Sequence, residues 1–137
     1  MNWTKLALGT VVGGILYFLL GWLIWGILLE DAMTWPEGMR ELVEYKPEEM
    51  KMSFMIISCL VWALFTTWVL SKMGISTFQS GATNGAIIGF LISLSYNTGM
   101  IAMFKFASLN NTVVDTLANT VATGIVGGVI GWLLGRK

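Results

Sequence analysis

The chain has 137 residues, 55% of them hydrophobic and 12% charged; eight bases balance eight acids, and the mean hydropathy is +0.73. Soluble domains carry about 25% charged residues, so this composition excludes an ordinary soluble protein, and no basic run speaks for a nucleic-acid partner. Histidine is absent and Cys59 is the only cysteine, which removes imidazole chemistry and any intrachain disulfide.

Four blocks lack Asp, Glu, Lys and Arg: 6–29, 52–71, 73–104 and 116–135. Each is long enough to cross a bilayer, which takes roughly 20 mainly apolar residues. Span one is placed at 6–29, with Trp3 and Lys5 before it and Trp22 and Trp25 at its far end, where interfacial anchors belong. It is too long for the apolar core of a secretory signal and ends without a small-residue cleavage site, so it is expected to be retained.

The segment after span one is the only substantial one outside the membrane. Thr34-Trp35-Pro36-Glu37 has the form of a capping box, and Met39, Leu42 and Val43 then share a face, so a short interfacial helix is expected within 34–45. Pro47-Glu48-Glu49 reads as the opening of span two, 52–71. A loop through 73–81 leads to span three, 82–104, and a polar link through Ser108 and Asn111 leads to span four, 113–134. The fold class expected is an all-α four-helix membrane bundle forming a single domain, 1–137.

With four spans, both termini and the 72–81 loop share one side. That side holds Lys5, Lys72, Arg136 and Lys137 and no acid. The other holds Arg40, Lys46, Lys51 and Lys105 among all eight acids. The basic residues tie, and the tie is resolved toward cytoplasmic termini because the bases there are unopposed.

Small or polar residues recur every four positions in each span. Span three has Gly81, Gly85, Gly89, Ser93 and Asn97; span four has Asp115, Asn119, Thr123, Gly127, Gly131 and Gly135. Span one has Gly9, Gly13, Tyr17, Gly21 and Trp25, and span two has Cys59, Ala63, Thr67 and Ser71. Helices in a bilayer associate where small residues let backbones approach and where side chains hydrogen-bond across the gap. Spans three and four are antiparallel neighbours, so their glycine ends and their polar ends should coincide. The preferred reading is a tight interface. The other is a small polar cavity open to the acidic face, bounded by Asn97, Asn119 and Asp115, with Tyr96 and Asn84 as further candidates. Glycines beside these ridges, Gly14 in span one and Gly124 in span four, look surplus to one interface and suggest a homo-oligomer.

Asp115 is expected in the first turn of span four as a cap, which leaves no ionisable group near the centre of any span and disfavours a proton-driven pump. Met52, Met55 and Cys59 share a face, yet without methionine clusters they read as packing rather than a copper site. The acids of 37–49 lack calcium-loop spacing. No catalytic set or cofactor motif is present, so a non-enzymatic protein without cofactors is expected.

The opening Met1-Asn2-Trp3, a glycine-rich first span ending in paired tryptophans, G-A-x-x-G-x-x-x-G in span three and D-T-L-A-N-T-V-A-T-G-I-V-G-G-V-I-G-W in span four resemble a bacterial family of membrane proteins, the domain of unknown function numbered 1761. The resemblance implies a four-helix membrane protein and carries over no functional residue. The function expected is therefore that of a small membrane protein acting through helix–helix association, as a homo-oligomer or as an accessory to another membrane protein. The alternative is a passive carrier or channel for a small uncharged or weakly polar solute.

Overall fold

A computed structural model describes residues 1–137. All regular structure is helical. Helix α1 (Trp3–Leu23) runs directly into a π-helical turn, Ile24–Leu28; α2 (Met39–Val43) lies in the first loop and is followed by a 3-10 turn, Pro47–Glu49. Helices α3 (Met52–Lys72), α4 (Phe78–Met103) and α5 (Leu109–Gly135) complete the chain. Four helices are long and apolar enough to cross a membrane. The fold is that of an all-α, multi-pass membrane protein.

Two of the long helices begin earlier than their expected spans, because capping rather than hydropathy sets a helix start. Thr77 accepts from the Ser80 N–H at 3.1 Å and opens α4 at Phe78, so the loop before it is shorter than expected. Ser108 accepts from the Asn111 N–H at 3.1 Å and opens α5 at Leu109, four residues before the expected position. The sequence 34–37 caps no helix. Thr34 instead bonds Asn111, through its N–H to Oδ1 at 2.7 Å and its carbonyl from Nδ2 at 2.6 Å. Trp35 stacks on Phe106 at 6.0 Å. These contacts pin the first loop onto the start of α5, and α2 follows only after Gly38 turns the chain with φ 70°. Pro47 opens its own short turn, separate from α3.

The Lys5 ammonium donates to the Leu134 carbonyl at 2.7 Å, so the start of α1 lies beside the end of α5, where a cation is favoured by the helix dipole. Gly135 meets Ser76 at the same end. The termini and the 73–77 turn thus share one end of the bundle, and the acid-rich first loop occupies the other.

Helix α5 is the central one, packing against α4 on one side and against α1 and α3 on the other. Along the α4–α5 seam the two backbones touch. A Cβ on Gly127 would lie 2.5 Å from the Gly81 carbonyl oxygen, and one on Gly89 would lie 2.7 Å from that of Asn119. Gly81, Gly85 and Gly131 face the backbone carbonyls of Gly127, Thr123 and Thr77. The α1–α3 seam is looser and abuts side chains: Gly9 faces Thr67, and Gly13 sits against Ala63 and Ile130. Where the three helices meet, Tyr17, Ala63, Leu70, Val126 and Ile130 form the core. Thr66 and Thr67 are buried there and donate to the carbonyls one turn back, at 2.9 and 2.7 Å, so neither hydroxyl is stranded. Outward faces carry Ile15, Phe54, Val61, Leu91, Leu117 and Trp132, which suits lipid and would be a liability in water.

The glycines that look surplus in the sequence have partners within the chain. Gly14 meets Leu60, Gly124 meets Ala86 and Ala82, and Gly128 meets the Phe78 ring. Both stripes of each helix serve one broad interface inside the monomer, so these residues give no argument for a second protomer.

Candidate functional site

Asp115 is not a cap. It is the seventh residue of α5, about 9 Å along the axis at 1.5 Å per residue, and its side chain points between helices. Trp25 Nε1 donates to Oδ1 at 2.8 Å. Asn97 Nδ2, Asn119 Nδ2 and Ser93 Oγ donate to Oδ2 at 2.6, 3.0 and 3.3 Å. Asn97 also donates to Ser93 Oγ at 3.0 Å, and Asn119 to the Asp115 carbonyl at 2.9 Å. One donor reaches Oδ1 and three converge on Oδ2, so the carboxyl group is held as an acceptor from three directions. The arrangement ties α1, α4 and α5 together through one residue. Asp115 has no cationic partner, since the chain's one ion pair joins Arg40 and Glu44.

The spacing explains which groups arrive. Asn119 is one turn from Asp115 on α5, and Ser93 and Asn97 are one turn apart at the polar end of the α4 ridge. Trp25 lies in the π turn that closes α1, where the Leu29 N–H reaches the Ile24 carbonyl at 2.8 Å. Such wider turns recur at functional sites.

Beside this cluster α1 and α3 splay apart. They touch at Gly9, Gly13 and Gly14, but toward the acidic end they leave a cavity of about 590 Å³. Its walls are Tyr17, Phe18, Trp22, Trp25 and Trp62, with Met52, Met55, Ser58 and Cys59 of α3. Asn119 and Ala122 of α5 line it too, and Glu44 and Met50 of the first loop contribute. Volumes of this order suit drug-sized ligands. Trp25 and Asn119 belong to both features, so two of the groups that hold Asp115 also wall the cavity. Gly21 lines it as well, and nothing lies within 4 Å of where its Cβ would be. Glu44 accepts from Arg40 Nε at 2.6 Å; the carboxylate beside it raises the guanidinium further above its ordinary range.

The family model described as "Protein of unknown function (DUF1761)" matches residues 8–131. The chain belongs to this family. No curated protein and no solved structure matches it. The DUF1761 match spans the whole Asp115 cluster and the whole cavity lining, while its description assigns no activity.

Within this DUF1761 fold the residues singled out in the sequence separate into three groups. Ser93, Asn97, Asp115 and Asn119 come together. Asn84 and Tyr96 do not: Asn84 donates to the Ser80 carbonyl of its own helix at 2.8 Å, and Tyr96 faces outward. Thr123 is fully buried against Gly85 and Gly89, and its hydroxyl has no hydrogen-bond partner. The polar cluster closes the end of the α4–α5 seam, and the cavity lies on the other side of α5, among α1, α3 and α5. Sequence reasoning misses Trp25 and Gly21 as cavity residues. Their place on the Gly9-Gly13-Tyr17-Gly21-Trp25 stripe was the available signal, masked because tryptophan at a span end suggests a membrane anchor.

Proposed function

We propose that the protein is a non-enzymatic carrier in a bacterial inner membrane, with both termini cytoplasmic, and that it takes a small solute into the cavity between α1 and α3. The observation that carries this is the cavity itself. It opens beside the acid-rich first loop, is of ligand size, and ends on Trp25 and Asn119, which the Asp115 cluster holds in place. A site on rigid helices with a few fixed polar groups is the usual form of a small-molecule site.

Cys59 is a native reporter, being the only cysteine and part of the cavity wall. A small membrane-impermeant thiosulfonate reagent is expected to modify it in sealed vesicles from the side opposite the termini. Gly21→Trp should suppress that reaction by roughly tenfold or more, because the added ring enters open space. The bundle should unfold at an unchanged denaturant concentration. A Cys59 that is inert from both sides would mean a closed, dry core and would end this reading.

Self-association remains the second reading, as a homo-oligomer or with another membrane protein. It rests on a shallow apolar groove of about 270 Å³ on α1 and α3, lined by Ile15, Phe18, Leu19, Ile56, Cys59 and Leu60. Light scattering of the solubilised protein across concentrations, repeated in bilayers, decides it. A dimer that survives dilution supports association, and a monomer throughout removes it.

A further inference from the structure

We propose that the cavity takes a hydrophobic organic cation, a quaternary ammonium or phosphonium whose charge is shielded by apolar groups. The inference rests on reading the cavity as a solute site and adds the chemistry of what fills it.

Three observations point the same way. First, the walls are aromatic. Tyr17, Trp22, Trp25 and Trp62 all border the space, and Trp62 is braced by Phe65 at 5.4 Å and Tyr17 at 6.4 Å. The face of an indole attracts a cation within about 6 Å of its centre, most strongly once the cation has shed its water. Second, the charge is one-sided. No lysine or arginine borders the cavity, and its end of the bundle carries all eight acids against four bases. The Glu44 carboxylate at the wall is shared with Arg40, but the Asp115 carboxylate has no counter-charge and lies behind Trp25 and Asn119. Walls of low dielectric focus such a field into the cleft. Third, the lining does not suit hard inorganic cations. Such ions need several oxygen ligands in one shell, and no group of three or more acids or cysteines is close enough to form one. Rings do not replace the hydration shell of a hard cation, whereas an organic cation brings its own apolar surface.

A neutral solute of the same size gains the apolar contact but neither the ring quadrupoles nor the field. The difference is open to measurement with tetraphenylphosphonium and its neutral relative triphenylphosphine oxide, each used to protect Cys59 against the thiosulfonate reagent in vesicles. The phosphonium is expected to protect saturably, and the oxide to need roughly tenfold or more higher concentration. Trp22→Leu keeps apolar bulk at an exposed position and removes a ring face. It should weaken protection by the phosphonium several-fold and leave the oxide unaffected.

Equal protection by the two compounds overturns the inference and leaves the solute site standing, and so does protection by neither while Cys59 still reacts. Unaltered phosphonium protection in Trp22→Leu also counts against it. If Cys59 reacts from neither side, the solute site itself fails and the inference with it.

Discussion

Gly85→Leu is expected to cost about 4 kcal/mol or more and to leave little folded protein in mild detergent. Any Cβ at this position runs into the Thr123 carbonyl oxygen and lies 3.0 Å from the Gly127 Cα. Those atoms are backbone on the central helix, so no rotamer change relieves the clash and α4 must move away from α5. Overpacking where side chains can adjust costs about 1–3 kcal/mol, and larger losses belong to sites where they cannot. Separating the helices also exposes the Asp115 cluster, whose α4 donors, Ser93 and Asn97, lie two and three turns further along. Gly99→Ala on the same helix is the control. Nothing lies within 4 Å of its added Cβ, so the helix-propensity gain of up to about 1 kcal/mol is free to appear. Denaturant titration of both variants in the same detergent gives the comparison. Equal stability of the two would mean that the α4–α5 backbones are not in contact.

Asp115→Ala is expected to destabilise the protein by about 2–3 kcal/mol. It leaves the Trp25 indole N–H and the Asn97 and Asn119 amides without their acceptor. Side-chain hydrogen bonds inside membrane proteins average about 0.6 kcal/mol and reach about 1.7; four bonds to one carboxylate therefore sum to this range. Asp115→Asn should fall between alanine and wild type, since its carbonyl still accepts while its own amide faces other donors. The informative measurement is the double-mutant cycle with Trp25→Phe. The two changes remove one shared bond, so their combined effect should be smaller than the sum of the single effects. Strict additivity would mean that Trp25 and Asp115 do not interact, and the link between the cavity wall and the polar cluster would be lost.

Much of this is legible in the sequence. Four charge-free blocks and a low charged fraction determine the medium and the number of long helices, because a bilayer demands about 20 apolar residues per crossing whatever the neighbours are. The four-residue ridges of α4 and α5 were equally readable, and the glycines of one do meet the other's backbone, because small residues at one-turn spacing admit one close partner. Helix starts were less legible. Ser108 and Thr77 start α5 and α4 four residues before the expected spans, through capping bonds that hydropathy does not register.

What only the tertiary structure decided is which surface meets which. A periodic pattern reports the face a residue occupies on its own helix and says nothing about how four helices are arranged around it. Gly14 and Gly124 therefore look like spare faces until Leu60 and Ala86 are found against them. Asp115 looks like a cap until α5 is seen to begin at Leu109, which turns its side chain inward toward Asn97 and Trp25. The cavity has no signature in any single segment. It lies beyond the close α1–α3 contacts at Gly9 and Gly13, where Tyr17, Trp22 and Trp62 line the space between the two helices, and that is a property of the pair.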